Sequence, residues 1–113
     1  MFRRLGVAVA ATMLFAGAAY ADPIEGNWKT QGGDNASISA CGGSFCIKLT
    51  SGEYSGKSIG KMTAKGGGSY TGSITKPSTG KTYSGSAKLS GSSLKMTGCV
   101  LAVLCESQTW TKL

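Results

Sequence analysis

The stretch Tyr83–Val100, YSGSAKLSGSSLKMTGCV, sets a strand pairing that the neighbouring segments extend. Apolar or small residues alternate with polar ones on both sides of Gly91-Ser92. A glycine followed by a polar residue suits a two-residue type II′ turn, whose first position needs φ > 0. The stretch therefore reads as a β-hairpin. Leu89 then opposes Leu94, Ala87 opposes Met96 and Gly85 opposes Gly98 on a face expected to be buried, while Lys88 opposes Lys95 on a wet one.

Working outward, Tyr70–Thr75 pairs with Lys81–Leu89 across Pro77-Ser78-Thr79-Gly80, where Pro sets φ and Gly tolerates the turn exit. That register opposes Ile74 to Tyr83, Gly72 to Gly85 and Tyr70 to Ala87. Downstream, Val100–Leu104 (VLAVL) forms the tip of a last hairpin, in which Cys99 opposes Cys105, Met96 opposes Gln108 and Leu94 opposes Trp110. This apolar tip is expected to cap the barrel, the alternative being an exposed contact for a partner. Upstream, Ala36, Ile38 and Ala40 share one face, and Phe45, Ile47 and Leu49 repeat the pattern after Gly42-Gly43. Opposing Ala40 to Ile47 and Ile38 to Leu49 sets Cys41 directly across from Cys46. Trp28 is expected to be a buried anchor, and Thr50–Ser69 to hold one weak strand around Ser58–Ala64 whose register is left unassigned. About eight short strands joined by hairpins make an all-β fold, a small antiparallel up-and-down barrel, with a two-sheet β-sandwich as the alternative. Closure removes two edges that would otherwise be exposed to aggregation.

The first 21 residues read as a leader: Arg3 and Arg4 form a basic start, Leu5–Ala18 an apolar run, and Ala19-Tyr20-Ala21 a small-x-small cleavage site. The apolar run is shorter than the roughly 20 residues of a membrane-spanning helix. Cleavage after Ala21 would leave 92 of the 113 residues, 22–113, as one domain in the periplasm or outside the cell. A domain of that size buries only about 60% of its unfolded surface and benefits from staples.

The four cysteines all follow the leader, and an even count in an exported chain reads as two disulfides. Strand register pairs Cys41 with Cys46 and Cys99 with Cys105, all four pointing outward. Zinc is disfavoured because Cys41-x4-Cys46 and Cys99-x5-Cys105 lack the usual knuckle spacing. Of the twelve basic residues, two are the leader's arginines, so ten lysines face five carboxylates and the net charge beyond the leader is +5. Bidentate reading of guanine or phosphate uses arginine forks. A lysine-only surface therefore argues against nucleic-acid recognition and for solvation or diffuse attraction to anionic envelope polymers.

The chain contains no histidine, which removes Ser-His, Cys-His and His-metal sites. Asp22 and Glu25 are expected in a loose terminus and Asp34 in a turn, so no pair of carboxylates is held about 5 to 9.5 Å apart on rigid elements. Gly66-Gly67-Gly68 lacks the following helix of a phosphate cradle. No enzyme, cofactor or metal is expected. The registers do align Gly72, Gly85 and Gly98 across three strands on the inward face, with Glu106 next in line. The aromatic and polar residues around this row, Trp28, Tyr70, Tyr83, Gln108 and Trp110, complete a candidate pocket for a small apolar or aromatic ligand. The alternative is that the glycines permit sharp coiling of the sheet, or that Trp28 fills the gap.

Three patches carry a family resemblance: Gly26-Asn27-Trp28, Lys76-Pro77-Ser78-Thr79-Gly80-Lys81-Thr82-Tyr83 and Gln108-Thr109-Trp110-Thr111-Lys112. With the cysteines around Gly42-Gly43, they resemble the exported bacterial proteins grouped as domain of unknown function 2147. The chain departs from that pattern between Thr50 and Gly68, where the family usually carries a longer, more apolar, Pro-containing insert. The resemblance implies compartment and fold but no catalytic residues. Gly26-x-Trp28 also resembles the start of lipocalin- and avidin-like (calycin) barrels, which implies that Lys112 of the last strand lies over Trp28.

Overall fold

The alternation around Gly91-Ser92 becomes a hairpin in the computed structural model, which describes residues 22–100 and 104–113. The expected leader and Leu101, Ala102 and Val103 of the last hairpin's tip lie outside the described residues. Eight strands follow in order: β1 (Gly26–Lys29), β2 (Asn35–Cys41), β3 (Ser44–Leu49), β4 (Ser58–Gly66), β5 (Ser69–Thr75), β6 (Thr82–Ser90), β7 (Ser93–Val100) and β8 (Leu104–Lys112). Each pairs antiparallel with the next, and β1 pairs with β8, so the sheet closes into an up-and-down barrel.

From β5 to β8 the pairing is the one expected from the sequence, including Ile74 with Tyr83, Gly85 with Gly98, Leu94 with Trp110 and Cys99 with Cys105. The β2–β3 hairpin differs. Ile38 opposes Ile47 and Ala36 opposes Leu49, two residues away from the expected register, and Cys41 faces Ser44 instead of Cys46. The cause is the turn: Gly42-Gly43 alone makes it, with Gly42 at φ 70°, where the expected register needed a four-residue loop. A slip of two preserves the faces. Ile47 and Leu49 remain buried as expected, but Ala40 moves out to an exposed position near the barrel end.

Both disulfides form, Cys41–Cys46 between diagonal neighbours 5.8 Å apart at Cα and Cys99–Cys105 directly across the ladder. In β4 a bulge opposite Ile47 and Lys48 inserts Ile59, which is buried beside the regular inward residues Gly60 and Met62. The β1–β8 seam is the shortest, with two residue pairs. It is reinforced beyond the ladder by Thr109 N donating to Gln31 Oε1 at 2.9 Å and Leu113 N to Asn27 O at 3.0 Å.

One end of the barrel is sealed. Ile24, Trp28, Ala36, Ile38, Met62 and Leu94 are almost entirely buried and, with Tyr70 and Ala87, form the dense part of the core. The glycine row is packed, not empty, along part of its length. A Cβ on Gly72 would fall on the carbonyl oxygen of Lys61, and one on Gly85 would lie 2.6 Å from Ile74 Cγ1 and 3.2 Å from Met62 Cε. Gly98 is different, since its nearest neighbours would be Tyr83 Cβ at 3.9 Å and Ile74 Cδ1 at 4.0 Å.

Gly72→Ala should therefore lower stability in urea by about 2 kcal/mol, the usual cost of overpacking, because β4 and β5 must move apart. Peptide mapping without reductant should recover Cys41 linked to Cys46 and Cys99 to Cys105. Removing either bridge should cost about 2 kcal/mol, as loops this short imply.

Candidate functional site

The connections β1–β2, β3–β4, β5–β6 and β7–β8 gather at the end opposite the sealed one, and there the barrel is hollow. A cavity of about 700 Å³ opens between them. Eight strands enclose a space just wide enough to be filled by side chains or to hold one small ligand. Here the walls diverge in size: β6–β8 contribute Gly98 between Tyr83 and Met96, while β3–β5 contribute the aliphatic residues Ile47, Leu49, Ile59 and Ile74.

Polar groups enter from β8 and the rim. Glu106 and Gln108 occupy successive inward positions of that strand, Glu106 opposite Gly98 and Gln108 opposite Met96. Trp110 Nε1 donates to Gln108 Oε1 at 3.0 Å, so the carboxamide oxygen is taken and its NH₂ is the group left to donate. Thr30, Thr75 and Lys76 border the opening, as do Val100 and Leu104, which are 42% and 67% exposed. The ladder ends at that pair, and the tip that would test capping lies outside the described residues.

Of the residues singled out from the sequence, Tyr83, Gly98, Gln108 and Trp110 come together on this cavity. Gly72 and Gly85 lie on the same row but under packed atoms, and Trp28 and Tyr70 belong to the sealed end. Ile47, Leu49 and Ile59 are wall residues that sequence reasoning did not gather into the site. Alternation marked the first two as inward, but only the barrel's closure brings β3 and β4 across from β8. Ile59 is turned inward by a bulge with no clear signal in its sequence.

The sealed end is built around a segment expected to be loose. Asp22–Glu25 is instead a tight turn: Glu25 N donates to Asp22 O at 2.8 Å, and Asp22 Oδ1 accepts from Ile24 N at 3.0 Å. The turn drives Ile24 into the barrel floor, where its carbonyl accepts from Trp28 Nε1 at 2.9 Å. Lys112 Nζ lies 4.8 Å from the Trp28 ring centroid and donates to Glu25 O at 2.7 Å and Pro23 O at 3.1 Å. Its ammonium thus ties together two carbonyls of the turn, the Pro23 one exposed and the Glu25 one partly buried, while it lies over the indole. The Tyr70 ring packs edge-on to Phe45 with centroids 5.9 Å apart, and its hydroxyl donates to Asp22 Oδ1 at 2.5 Å. Burial first, then this hydrogen bond and the carboxylate charge, push the Tyr70 hydroxyl well above the usual phenol range.

The fold and cavity together define a class: a small, disulfide-stapled, closed up-and-down β-barrel with one hollow end. The family model described as "Uncharacterized protein conserved in bacteria (DUF2147)" matches residues 54–112, more than half of the chain, and the protein belongs to that family. The match takes in most of Thr50–Gly68, the segment expected to depart from the family pattern, while Gly26-Asn27-Trp28 and the first cysteine pair lie outside it. No curated protein and no solved structure matches the chain.

Tyr70→Phe should cost about 1 kcal/mol at pH 7 by removing a bond to a carboxylate. The native chain keeps a Tyr70 proton that the unfolded chain releases above about pH 10, so this residue's contribution to stability falls as pH rises beyond that point. Urea titrations at rising alkaline pH should accordingly show wild type losing its advantage over Tyr70→Phe; a constant gap would separate the hydroxyl from the plug.

Proposed function

We propose that this protein is an exported, non-catalytic binding protein that holds a small apolar or aromatic molecule in the hollow end of the barrel. The observation that carries this reading is the cavity. At about 700 Å³ it falls within the range of small-molecule sites, and its walls combine aliphatic and aromatic surface with a few convergent polar groups, as such sites do. Two disulfides suit an oxidising compartment, the periplasm or the outside of the cell, in keeping with the basic and apolar leader.

A second reading, attraction to anionic envelope polymers, rests on the outer wall. Lys88 and Lys95 are directly opposed there and both exposed, which concentrates positive charge on one surface. Retention on such polymers would weaken steeply with salt, whereas occupancy of an apolar cavity would not.

The position of Gly98 allows a direct test. Its φ is not positive and a Cβ there would meet nothing closer than 3.9 Å, so Gly98→Leu can be accommodated at the backbone and extends its side chain toward the cavity that Gly98 lines. A neutral, environment-sensitive naphthalene fluorophore should bind the wild-type protein and bind Gly98→Leu at least about tenfold more weakly, with unfolding in urea unchanged or shifted upward. Equal binding to both would remove the cavity as the site.

A further inference from the structure

The cavity wall has a polarity of its own, and it bears on what kind of molecule fits. We propose that the ligand is amphiphilic and cationic, an apolar or aromatic body whose protonated amine is held by the Glu106 carboxylate. The inference rests on the cavity being a binding site.

Three observations lead to it. Among the described residues that line the cavity, Glu106 carries the one carboxylate and Lys76 the one ammonium, and they differ in how they are held. Both side chains are exposed, but Lys76 belongs to the β5–β6 connection. Glu106 belongs to the ladder of β8, at an inward position, and its partner across the ladder is Gly98. Opposite Glu106 the wall carries no side chain, and both residues line the cavity, with the Glu106 side chain exposed at its mouth. The adjacent pair Cys99–Cys105 ties the two strands covalently one position further toward the mouth, so this carboxylate sits on a rigid part of the wall.

The third observation concerns Gln108. Its carboxamide oxygen is bound by Trp110, which leaves an NH₂ donor one inward position below Glu106. Wall chemistry from the mouth downward is then anion, donor, and apolar floor. A headgroup that is cationic at its tip and carries an acceptor next to it satisfies both; an anionic headgroup would face Glu106 unpaired. Beyond the leader the chain is net positive, so its long-range field opposes the approach of a cation. At physiological ionic strength that field is screened beyond about 8 Å, while a contact pair at the mouth is screened much less.

The test uses three ligands of equal chain length, dodecylammonium, dodecanol and dodecanoate, each kept below its micelle concentration and competing with the naphthalene fluorophore on the full processed protein at physiological salt. Dodecylammonium should displace the fluorophore at about fivefold lower concentration than dodecanol, the size expected for an ion pair that is partly wet. In Glu106→Gln that preference should shrink to within about twofold, and in Lys76→Gln it should persist. Equal displacement by all three would overturn the inference while leaving the cavity as a binding site. Strongest displacement by dodecanoate would overturn it in favour of Lys76 as the anchor. Failure of the fluorophore itself to bind would overturn the cavity and this inference together.

Discussion

The interior of an eight-stranded barrel has a cross-section fixed by strand number and tilt, and every inward position must either fill that section or leave it open. This constraint organises the molecule. At one end the chain spends two large side chains, Trp28 and Ile24, with Met62 and Leu94 against them, and the section is full. At the other, the inward residues of β6–β8 shrink to Gly98 or become polar at Glu106 and Gln108, and nothing from β3–β5 reaches far enough to replace them. The hollow is thus a consequence of side-chain size on a few strands. The glycine row shows how sharply this is decided, because Ile74 covers Gly85 but stops short of Gly98.

Filling the sealed end raises a second requirement. Backbone that turns into the barrel floor places the Ile24 carbonyl away from water, where it needs a partner, and leaves those of Pro23 and Glu25 nearer the surface. Trp28 satisfies Ile24 O through its indole N–H, and Lys112 satisfies Pro23 O and Glu25 O through its ammonium. The same ammonium lies over the Trp28 ring, so the last strand locks the first at the point where the β1–β8 ladder is only two pairs long. Barrel closure, the floor and the N-terminal turn are one interaction viewed from three directions.

How much of this was legible in the sequence depends on turn chemistry. Gly91-Ser92 and Pro77-Ser78-Thr79-Gly80 each admit one natural hairpin, and from β5 to β8 the register follows residue by residue. Gly42-Gly43 admits two, a two-residue turn or the centre of a four-residue loop. A slip of two between them leaves every side chain on its expected face, so alternation could not choose. The Cys41–Cys46 link was legible regardless, because direct and diagonal neighbours both lie within reach of a bridge. Half of the eight residues expected around a pocket, Tyr83, Gly98, Gln108 and Trp110, line the cavity. Its aliphatic wall was hidden because Ile47, Leu49 and Ile59 meet β8 only through closure of the sheet, and the Asp22–Ile24 plug because three residues are too few to show periodicity.

The two disulfides divide along the same axis. Cys41–Cys46 spans the β2–β3 turn at the sealed end, where the core is already dense, so its effect is chiefly on the entropy of the unfolded chain. Cys99–Cys105 lies at the hollow end, one pair from the last pair of the β7–β8 ladder, whose residues Val100 and Leu104 are both exposed. There a covalent link reinforces the end of the ladder beside the open cavity. It also stands next to the Gly98–Glu106 pair, so the bond on the outer face keeps the glycine and the carboxylate in register on the inner one. An open barrel end cannot rely on its core to hold its shape, and a bridge on the outside keeps the strands together without occupying any of the space within.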